Sequence, residues 1–488
     1  MQFHILSFEG PDAYSRAGGI ASRVTGLVRA LADAGYETHL WFVGDPALPG
    51  HETQGNLHLH RWCQWISQHH PAGVYDGEEG KRADFVASLP PYILGQVLLP
   101  YVQHGGQAVV LAEEWHTVEA VLYLNWLLCQ AQARERVTIL WNANNTFSFH
   151  RIDWRQLTEA AIITTVSRYM KHLMQRLGVD PLVIPNGLAT EALISPERRT
   201  VAAFRASLRH RTVLCKVARW DPDKRWLLAI QIVGALKQRG WRPLLIARGG
   251  IEAHGHEVLA AASSGGLRVT ERALPEPDVR GLIQAMEGLR DYDIVNLSSP
   301  LQADTQRVLF QGAAAVLANS GHEPYGLVGL ETMAVGGVAC TGCSGEDYAV
   351  PGYNALVLET EDPGEFVGLF TALRANPVLE RAIRRAGCAT AKHYVWPHII
   401  QRILLPRLSL FAPQTNVLTG EPAQGTHTYI SSLRQRRPLA RDVLKWIRQG
   451  ADTLTRGQDE PGQAYVTLAK AKNRRRRGDE AGRKLLVG

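Results

Sequence analysis

Short apolar runs and one segment of helical spacing alternate along the first part of the chain. Residues 3–8 and 38–43 are apolar runs that predict strands. Between them, apolar residues recur at three- and four-residue spacing over 20–34, which predicts a helix that ends at Gly35. A strand, a helix and a second strand in close succession indicate a βαβ unit, and hence a parallel sheet.

The same rhythm continues along most of the chain. It predicts strands at 108–112, 137–141, 161–166 and 182–184, with helices at 118–129 and 168–177. After the turn signal Pro185-Asn186-Gly187 the pattern restarts, with strands at 212–218, 243–247, 294–297, 314–317, 338–341 and 355–358 and helices at 226–239, 327–335 and over most of 365–393. We therefore predict an α/β protein with two doubly wound, Rossmann-like domains, residues 1–187 and 188–393.

The composition is that of a globular protein. Of the 488 residues, 45% are hydrophobic and 20% are charged, which excludes wholesale disorder. The six cysteines are too sparse for a disulfide scaffold. Cys340 and Cys343 form one Cys-x-x-Cys, and no second pair completes a four-ligand zinc site. We expect reduced thiols and no essential metal or other cofactor.

The positive charge is concentrated at the C-terminal end. Residues 413–488, the basic tail, hold 15 Lys and Arg against 7 Asp and Glu, a net charge of +8. The whole chain has a net charge of +7, so the rest of the chain is close to neutral. Its amphipathic segment 438–449 and its arginine run 474–477 are compatible with contact to an anionic membrane surface, while a solvated or self-docking tail is the alternative. No aromatic motif accompanies the charge, so nucleic-acid binding is not expected.

The sequence also predicts the cellular location of the protein. It contains no run of 18 apolar residues, which argues against a membrane-spanning helix. Its first residues lack the basic and apolar regions of a signal peptide. We expect a cytoplasmic protein, with peripheral membrane contact through the tail as the open alternative.

Two loops at predicted strand ends carry candidate phosphate-binding residues. Ligands of doubly wound sheets bind at the carboxyl ends of the strands. After the first strand, Gly18 and Gly19 precede a helix whose free N–H groups suit an anion. After strand 212–218, Arg219 and Lys224 are two cations that can converge on one diphosphate, or else are solvated surface charges. Neither loop has a dinucleotide-binding or P-loop spacing.

The most informative segment runs from Glu323 to Glu331. Glu323 follows a predicted strand, and Glu331 lies on the next helix. Between them, Gly326, Leu327 and Val328 supply helix-start N–H groups. Carboxylates accept hydrogen bonds from sugar hydroxyls and backbone amides hold phosphate oxygens, so this pattern suits a sugar nucleotide. The alternative is a surface carboxylate and an ordinary helical glutamate.

Seven residues separate the two glutamates, which resembles the Glu-x7-Glu motif of retaining glycosyltransferases with the GT-B fold, closest to family 4. The Glu-Pro-Tyr-Gly spelling is similar to that of bacterial glycogen synthases too. Further pieces follow the family's order: Gly18-Gly19-Ile20, Val166-Ser167-Arg168-Tyr169, Ile184-Pro185-Asn186-Gly187, Arg219 with Lys224, and Tyr394-Val395-Trp396. The resemblance implies two domains facing a central cleft, with residues 394–412 as a helix that crosses back to the N-terminal domain.

The resemblance also implies a role for each matching residue. Arg219 and Lys224 would bind the donor diphosphate, and Glu331 would hold the nucleotide ribose. Glu323 would hydrogen-bond the donor sugar, with the amides of Gly326, Leu327 and Val328 nearby and with Gly18 and Gly19 facing the phosphates. In this family the leaving phosphate is thought to take the acceptor proton on the same face of the sugar. The protein then mainly stabilises the charge that develops on the diphosphate.

Three further features depart from the family pattern or stand outside it. His116, in Glu113-Glu114-Trp115-His116, is a candidate to face the transferred sugar, or else is a core histidine. Arg16 stands where glycogen synthases have a lysine, and is a candidate phosphate contact. Trp62 and Trp65 suggest sugar stacking in an acceptor site, although core packing is the more usual role of such a pair.

The expected function is transfer of a sugar from a UDP-, ADP- or GDP-linked donor to a saccharide or lipid-linked acceptor. An α-glucan synthase similar to glycogen synthases is one alternative. A sugar-nucleotide epimerase is another, which the Glu-x7-Glu motif disfavours. A non-catalytic scaffold with the same fold is the alternative from a different class.

Overall fold

The computed structural model describes residues 1–411. These residues contain two sheets in which almost all neighbouring strands are parallel. The predictions for the basic tail 413–488, including its amphipathic segment 438–449 and its arginine run 474–477, lie outside the described residues.

The N-terminal sheet has eight strands in the order β3-β4-β2-β1-β5-β6-β7-β8. Only β3 runs antiparallel to its neighbour, β4. The strands are β1 Gln2–Leu6, β2 Glu37–Val43, β3 His51–Gln54, β4 Leu57–Trp62, β5 Ala108–Glu113, β6 Val137–Ala143, β7 Ile162–Thr165 and β8 Leu182–Val183. Every residue of β1 and β5 is buried, because helices cover both faces of the sheet.

The helices of this domain place apolar stripes against the sheet. They are α1 Gly19–Asp33, α2 Gln64–Ser67, α3 Glu78–Ile93, α4 Leu99–Gln103, α5 Val118–Gln130, α6 Trp154–Ala160 and α7 Arg168–Gln175. On α1, Val24, Leu27, Val28 and Leu31 are buried. This is the face that the sequence spacing predicts.

One helical stretch among the described residues, Glu78–Gln103, is long and apolar enough to cross a membrane by length and composition. This stretch contains no uninterrupted run of 18 apolar residues, so a search of the sequence for such runs does not find it. Core helices of globular domains pass the same test. Here Phe85, Leu89 and Ile93 are fully buried in the core of the N-terminal domain, and 39% of the most apolar window of the stretch is buried.

The C-terminal sheet has seven parallel strands in the order β11-β12-β10-β9-β13-β14-β15. The strands are β9 Thr212–Val217, β10 Pro243–Arg248, β11 Val269–Arg272, β12 Ile294–Leu297, β13 Ala315–Ala318, β14 Ala339–Thr341 and β15 Leu356–Val357. The helices are α8 Arg198–Ser207, α9 Trp226–Gln238, α10 His254–Ser264, α11 Val279–Ala285, α12 Ala303–Gly312, α13 Leu327–Ala334, α14 Pro363–Ala375 and α15 Pro377–Lys392. Because β9 and β13 are neighbours, the loops that follow them lie side by side.

The chain crosses between the domains twice, and the two crossings are hydrogen-bonded to each other. The N–H of Leu188 donates to the carbonyl of Tyr394 (2.7 Å), and the N–H of Trp396 donates to the carbonyl of Leu188 (3.0 Å). A Cβ added to Gly187 would lie 2.6 Å from the Trp396 ring. Glycine therefore allows the ring to pack directly on the first crossing.

After the second crossing the chain returns along the N-terminal domain as a helix. It consists of α16 Trp396–Ile399, a π-helical turn Ile400–Leu404 and α17 Leu405–Ser409. Its buried side chains share a core with α1 and with the face of the sheet that α1 covers.

A buried ion pair ties these elements together. The Arg23 guanidinium on α1 donates to both oxygens of Glu113 at the end of β5 (3.0 and 3.2 Å) and to Asn186 Oδ1 (2.5 Å). It also lies 5.6 Å from the centre of the Trp396 ring. Both charged side chains are 1% exposed or less, so each charge depends on the other for compensation.

Candidate active site

A cleft of about 920 Å³ lies between the two domains. The N-terminal domain lines it with Glu9, Gly18, Gly19, Tyr75 and Asn144, and the C-terminal domain lines it with Lys216, Arg219, Lys224, Glu323, Gly326, Leu327 and Val328, among others. Apart from Tyr75, which precedes α3, these residues follow or end β1, β6, β9 and β13, so the cleft lies at the carboxyl ends of the strands. Eight of the predicted site residues thus meet in one place, whereas Arg16, His116 and Glu331 are not part of the lining.

The two predicted cations are held by a tight turn between β9 and α9. Asp221 accepts a hydrogen bond from the N–H of Asp223 (2.9 Å), which fixes a single 3₁₀ turn that ends at Lys224. The indole N–H of Trp226 donates to the carbonyl of Arg219 (2.7 Å). Lys224 Nζ is paired with Glu323 Oε2 across the cleft wall. The turn therefore presents two positive charges, one of them oriented by the first glutamate of the motif.

A third cation, Lys216, also lines the cleft, although the sequence does not predict it as a site residue. It lies within β9 and is 1% exposed. Its Nζ donates to the carbonyl of Leu317 (3.0 Å) and to Asn319 Oδ1 (2.8 Å). Burial, reinforced by the nearby charge of Lys224, lowers the pKa of Lys216 to about 7. This lysine is therefore poised between its charged and neutral forms at physiological pH.

We expect binding of a nucleoside diphosphate sugar to tighten as the pH falls. Below a pKa of about 7 Lys216 is charged, and above it Lys216 is neutral. A diphosphate favours the charged form, so affinity should rise about tenfold between about pH 8 and pH 6. Isothermal titration with UDP-glucose measures this cleanly, since its diphosphate diester does not titrate in this range.

Two variants identify the titrating group. Lys216→Met should abolish the dependence, because methionine has a similar length and no charge. His322 also lines the cleft, and His322→Gln should retain the dependence. If the dependence survives in Lys216→Met and disappears in His322→Gln, the assignment to Lys216 is wrong.

The start of α13 supplies backbone amides to the same wall. Gly326 is the N-cap residue of this helix and has no side chain that could accept a hydrogen bond. The N–H groups of Leu327 and Val328 in the first turn therefore have no side-chain cap. A Cβ at Gly326 would lie 2.9 Å from Glu346 Oε1. Burial, followed by repulsion from Glu323, raises the pKa of that Glu346 carboxyl to about 8. A largely protonated Glu346 leaves the positive end of α13 available to an anion.

Glu331 lies on the same helix but does not line the cleft. Its Oε2 accepts a hydrogen bond from Gln306 Nε2 (3.1 Å) on α12, and burial raises the pKa of its carboxyl. The role of Glu331 in holding a ribose stays a prediction.

The glycine loop after β1 is capped by the chain itself. Glu9 Oε2 accepts from the N–H groups of Gly18 (2.9 Å) and Ala21 (3.0 Å), and Glu9 Oε1 accepts from the Tyr75 hydroxyl (2.7 Å). Gly18 and Gly19 do line the cleft. The anion at this helix N-terminus is therefore the Glu9 carboxylate, and the role of Gly18 and Gly19 in facing a phosphate stays a prediction.

Arg16 and His116 do not line the cleft. Arg16 Nη2 donates to the carbonyl of Pro11 (2.9 Å) and lines a separate cavity of about 410 Å³. His116 is 5% exposed, stacks on Phe8 (4.4 Å between ring centres) and contacts Glu78 Oε1 at 2.5 Å. Burial lowers the pKa of His116. The role of His116 in facing the transferred sugar stays a prediction.

The tryptophan pair and the cysteines also lie outside the cleft lining. Trp62 packs against Trp41 and donates its indole N–H to Ser88 Oγ (2.7 Å), whereas Trp65 is 64% exposed. All six cysteines are free thiols.

Comparison with known proteins identifies the fold. No protein-family model and no curated protein matches the sequence. Among solved structures, the chain is similar to sucrose-phosphate synthase from Thermosynechococcus elongatus, with a TM-score of 0.58 and 18% identity over 84% of this chain and 100% of that chain. It is also similar to Anabaena HepE in complex with UDP-glucose, with a TM-score of 0.55 and 14% identity over 84% and 100% of the two chains.

A third similar structure is an α,α-trehalose-phosphate synthase (UDP-forming) from Burkholderia xenovorans in complex with glucose-6-phosphate. Its TM-score is 0.56 and its identity 13%, over 83% of this chain and 99% of that chain. At these identities the likeness establishes the fold. The predicted GT-B architecture, two Rossmann-like domains facing a central cleft, is confirmed.

Proposed function

We propose that the protein is a retaining glycosyltransferase that transfers a sugar from a nucleoside diphosphate sugar. UDP-glucose is the first candidate donor. The observation that carries the proposal is the cleft wall on which Lys216, Arg219, Lys224 and the start of α13 converge. Three cations and a helix N-terminus match the charge of a diphosphate.

The similar structures support the nature of the ligands. The HepE complex holds UDP-glucose and the trehalose-phosphate synthase complex holds glucose-6-phosphate. We therefore place a uridine diphosphate sugar first among donors and a sugar or sugar phosphate first among acceptors. A lipid-linked saccharide and an α-glucan stay as alternative acceptors, and retention and family 4 rest on the Glu-x7-Glu resemblance.

The chemistry follows from where charge develops. The bond between the anomeric carbon and the diphosphate oxygen breaks, and the electron pair stays on the leaving oxygen. Arg219 and Lys224 stabilise that charge in the transition state more than in the ground state, which lowers the barrier. The acceptor hydroxyl attacks from the face that the diphosphate leaves, and its proton passes to the leaving phosphate oxygen. The products are a glycoside of unchanged anomeric configuration and UDP.

The residues around the cations hold them in place. Glu323 pairs with Lys224, and Asp223 accepts a hydrogen bond from the N–H of Gly321 (2.7 Å), which joins the loops after β9 and β13. This fixed arrangement means that the charges need little reorganisation during the reaction.

The proposal is tested by thermal unfolding with UDP, GDP and ADP and with their glucose conjugates, followed by transfer assays. A ligand that binds only the folded state raises the unfolding midpoint by mass action, and we expect the uridine series to do so. With UDP-glucose and glucose-6-phosphate or glucose as acceptors, NMR of the product should show an α-linked glucose. A β-linked product would contradict retention. If no nucleotide changes the unfolding midpoint, the proposal of an enzyme is wrong and the non-catalytic scaffold becomes the better interpretation.

A further inference from the structure

Histidines from four adjacent strands lie side by side on one face of the N-terminal sheet. They are His4 on β1, His39 on β2, His58 and His60 on β4, and His51 on β3. The strand register places His4, His39 and His58 in one row across the sheet. The His39 ring stacks on those of His4 and His58, with centres 4.7 and 4.5 Å apart. None of these residues lines the cleft, and the proposed transfer reaction does not use them.

A directional chain of hydrogen bonds assigns the tautomers of these rings. The indole N–H of Trp41 can only donate, and it points at His4 Nδ1 (3.3 Å). His4 Nε2–H then donates to Gln2 Oε1 (3.1 Å), and the Gln2 amide donates to His39 Nε2 (3.0 Å). His39 Nδ1–H in turn donates to His60 Nε2 (3.0 Å). His39 therefore carries its lone pair on Nε2.

The cluster keeps its buried imidazoles neutral. Burial, followed by repulsion from His58, lowers the pKa of His39 to about 4. Burial also lowers the pKa of His4 well below its ordinary value.

A carboxylate and a second imidazole lie beside His39 Nε2. Glu37 lies two residues before His39 on the same strand, so both side chains are on the same face of the sheet. Glu37 Oε1 is 3.5 Å from His39 Nε2. One ligand atom from each of Glu37, His39 and His58 lies within 4.8 Å of the other two. Two imidazoles and one carboxylate are a ligand set that Zn²⁺ takes in proteins, with room for water as a further ligand.

From this arrangement we propose that Glu37, His39 and His58 form a binding site for a divalent transition-metal ion, Zn²⁺ first. The site lies near the amino ends of β2 and β4, whereas the cleft lies at the carboxyl ends of the strands. Glu37 is exposed and His58 is partly exposed, so both can rotate the short distance towards the buried His39 that a common ion requires.

Neighbouring groups already hold the other ring nitrogens. His39 Nδ1 is bound to His60, and His58 Nδ1 is 3.1 Å from Thr53 Oγ1, which leaves Nε2 of each ring for the metal. Such outer contacts orient metal-binding histidines. The ion displaces the Gln2 amide from His39 Nε2. Because its ligands come from β2 and β4, the ion clamps these two strands together and stabilises the folded chain.

The test uses the full chain without a histidine tag, stripped of metal with a chelator. Titration with Zn²⁺ alone, by calorimetry, should show one ion per chain, and Zn²⁺ should raise the unfolding midpoint. Titration with Co²⁺ should produce visible absorption bands of a four- or five-coordinate ion. His58→Gln and Glu37→Gln should each weaken binding at least about tenfold. Both side chains are on the surface, so the variants should fold.

His104→Gln is the matched control, because His104 is exposed and lies outside the cluster. It should bind Zn²⁺ as the unaltered chain does. Stoichiometric binding that survives both His58→Gln and Glu37→Gln would place the ion elsewhere and overturn the proposal. So would the absence of saturable Zn²⁺ binding to the unaltered chain, or equal losses in the His58 and His104 variants.

Discussion

Replacement of Lys224 by alanine is expected to lower the turnover of sugar transfer about 10²- to 10³-fold. Lys224 lines the cleft and pairs with Glu323, on a turn that is fixed to the loop after β13. In the proposed reaction, removal of the lysine would delete one positive charge from the place where the leaving diphosphate becomes more negative. It would also leave Glu323 without its counter-charge, so two unfavourable effects would add.

Binding measurements separate these effects from a general loss of the site. In Lys224→Ala the affinity for UDP should fall, and that for uridine should change little, because uridine carries no phosphate. Lys237→Ala is the matched control: Lys237 is paired with Asp293 in the same domain, and it does not line the cleft. Turnover of Lys224→Ala within a few-fold of that of Lys237→Ala would show that Lys224 has no part in the transition state.

Replacement of Arg23 by methionine is expected to lower the free energy of unfolding by about 3–5 kcal/mol. The Arg23–Glu113 pair is almost completely buried. Methionine fills much of the space of the arginine stem but leaves the Glu113 carboxylate in the protein interior without its cation. Asn142 and Asn144 still donate to Glu113, but their amides carry no charge. Urea unfolding followed by tryptophan fluorescence measures the loss.

Two further variants attribute that loss to the stranded charge. Adding Glu113→Gln to Arg23→Met should restore part of the stability, because a glutamine is neutral. Arg155→Met removes an ion pair whose two side chains are 89% and 70% exposed, so it should change stability little. A double variant no more stable than Arg23→Met would attribute the loss to packing instead.

The sequence predicts best those elements whose signals are local. The βαβ rhythm of residues 3–43 depends on spacing within one element, and β1, α1 and β2 begin and end within a few residues of the predicted bounds. The hairpin of β3 and β4 has a weaker signal. In β4 the apolar and polar positions alternate from Leu57 to His60, but the charged Arg61 then occupies a buried position, so the pattern is only four residues long.

Residues that line the cleft are predictable where a motif places them on a strand-end loop, as with Arg219, Lys224 and Glu323. The position of Lys216 in the cleft could not be predicted from the sequence, because its partner Asn319 is 103 residues away. A lysine within a strand gives no local sign that its side chain lines a cleft. Arg16 is close in sequence to the glycine loop, yet the backbone turns its side chain towards Pro11. Sequence proximity thus identified the loop, but the contact of Arg16 depends on how the loop folds back on Pro11, and that of Lys216 on a residue distant in the chain.

The paired crossings at Leu188 and Tyr394 have a mechanical consequence. Two bodies joined at well-separated points are held rigid, whereas two bodies joined at adjacent points share one pivot. Here both covalent joints lie within hydrogen-bond distance of each other, so a rotation of one domain against the other would have this waist as its pivot. The Arg168–Asp347 ion pair also joins the two domains, and such a rotation would have to break it.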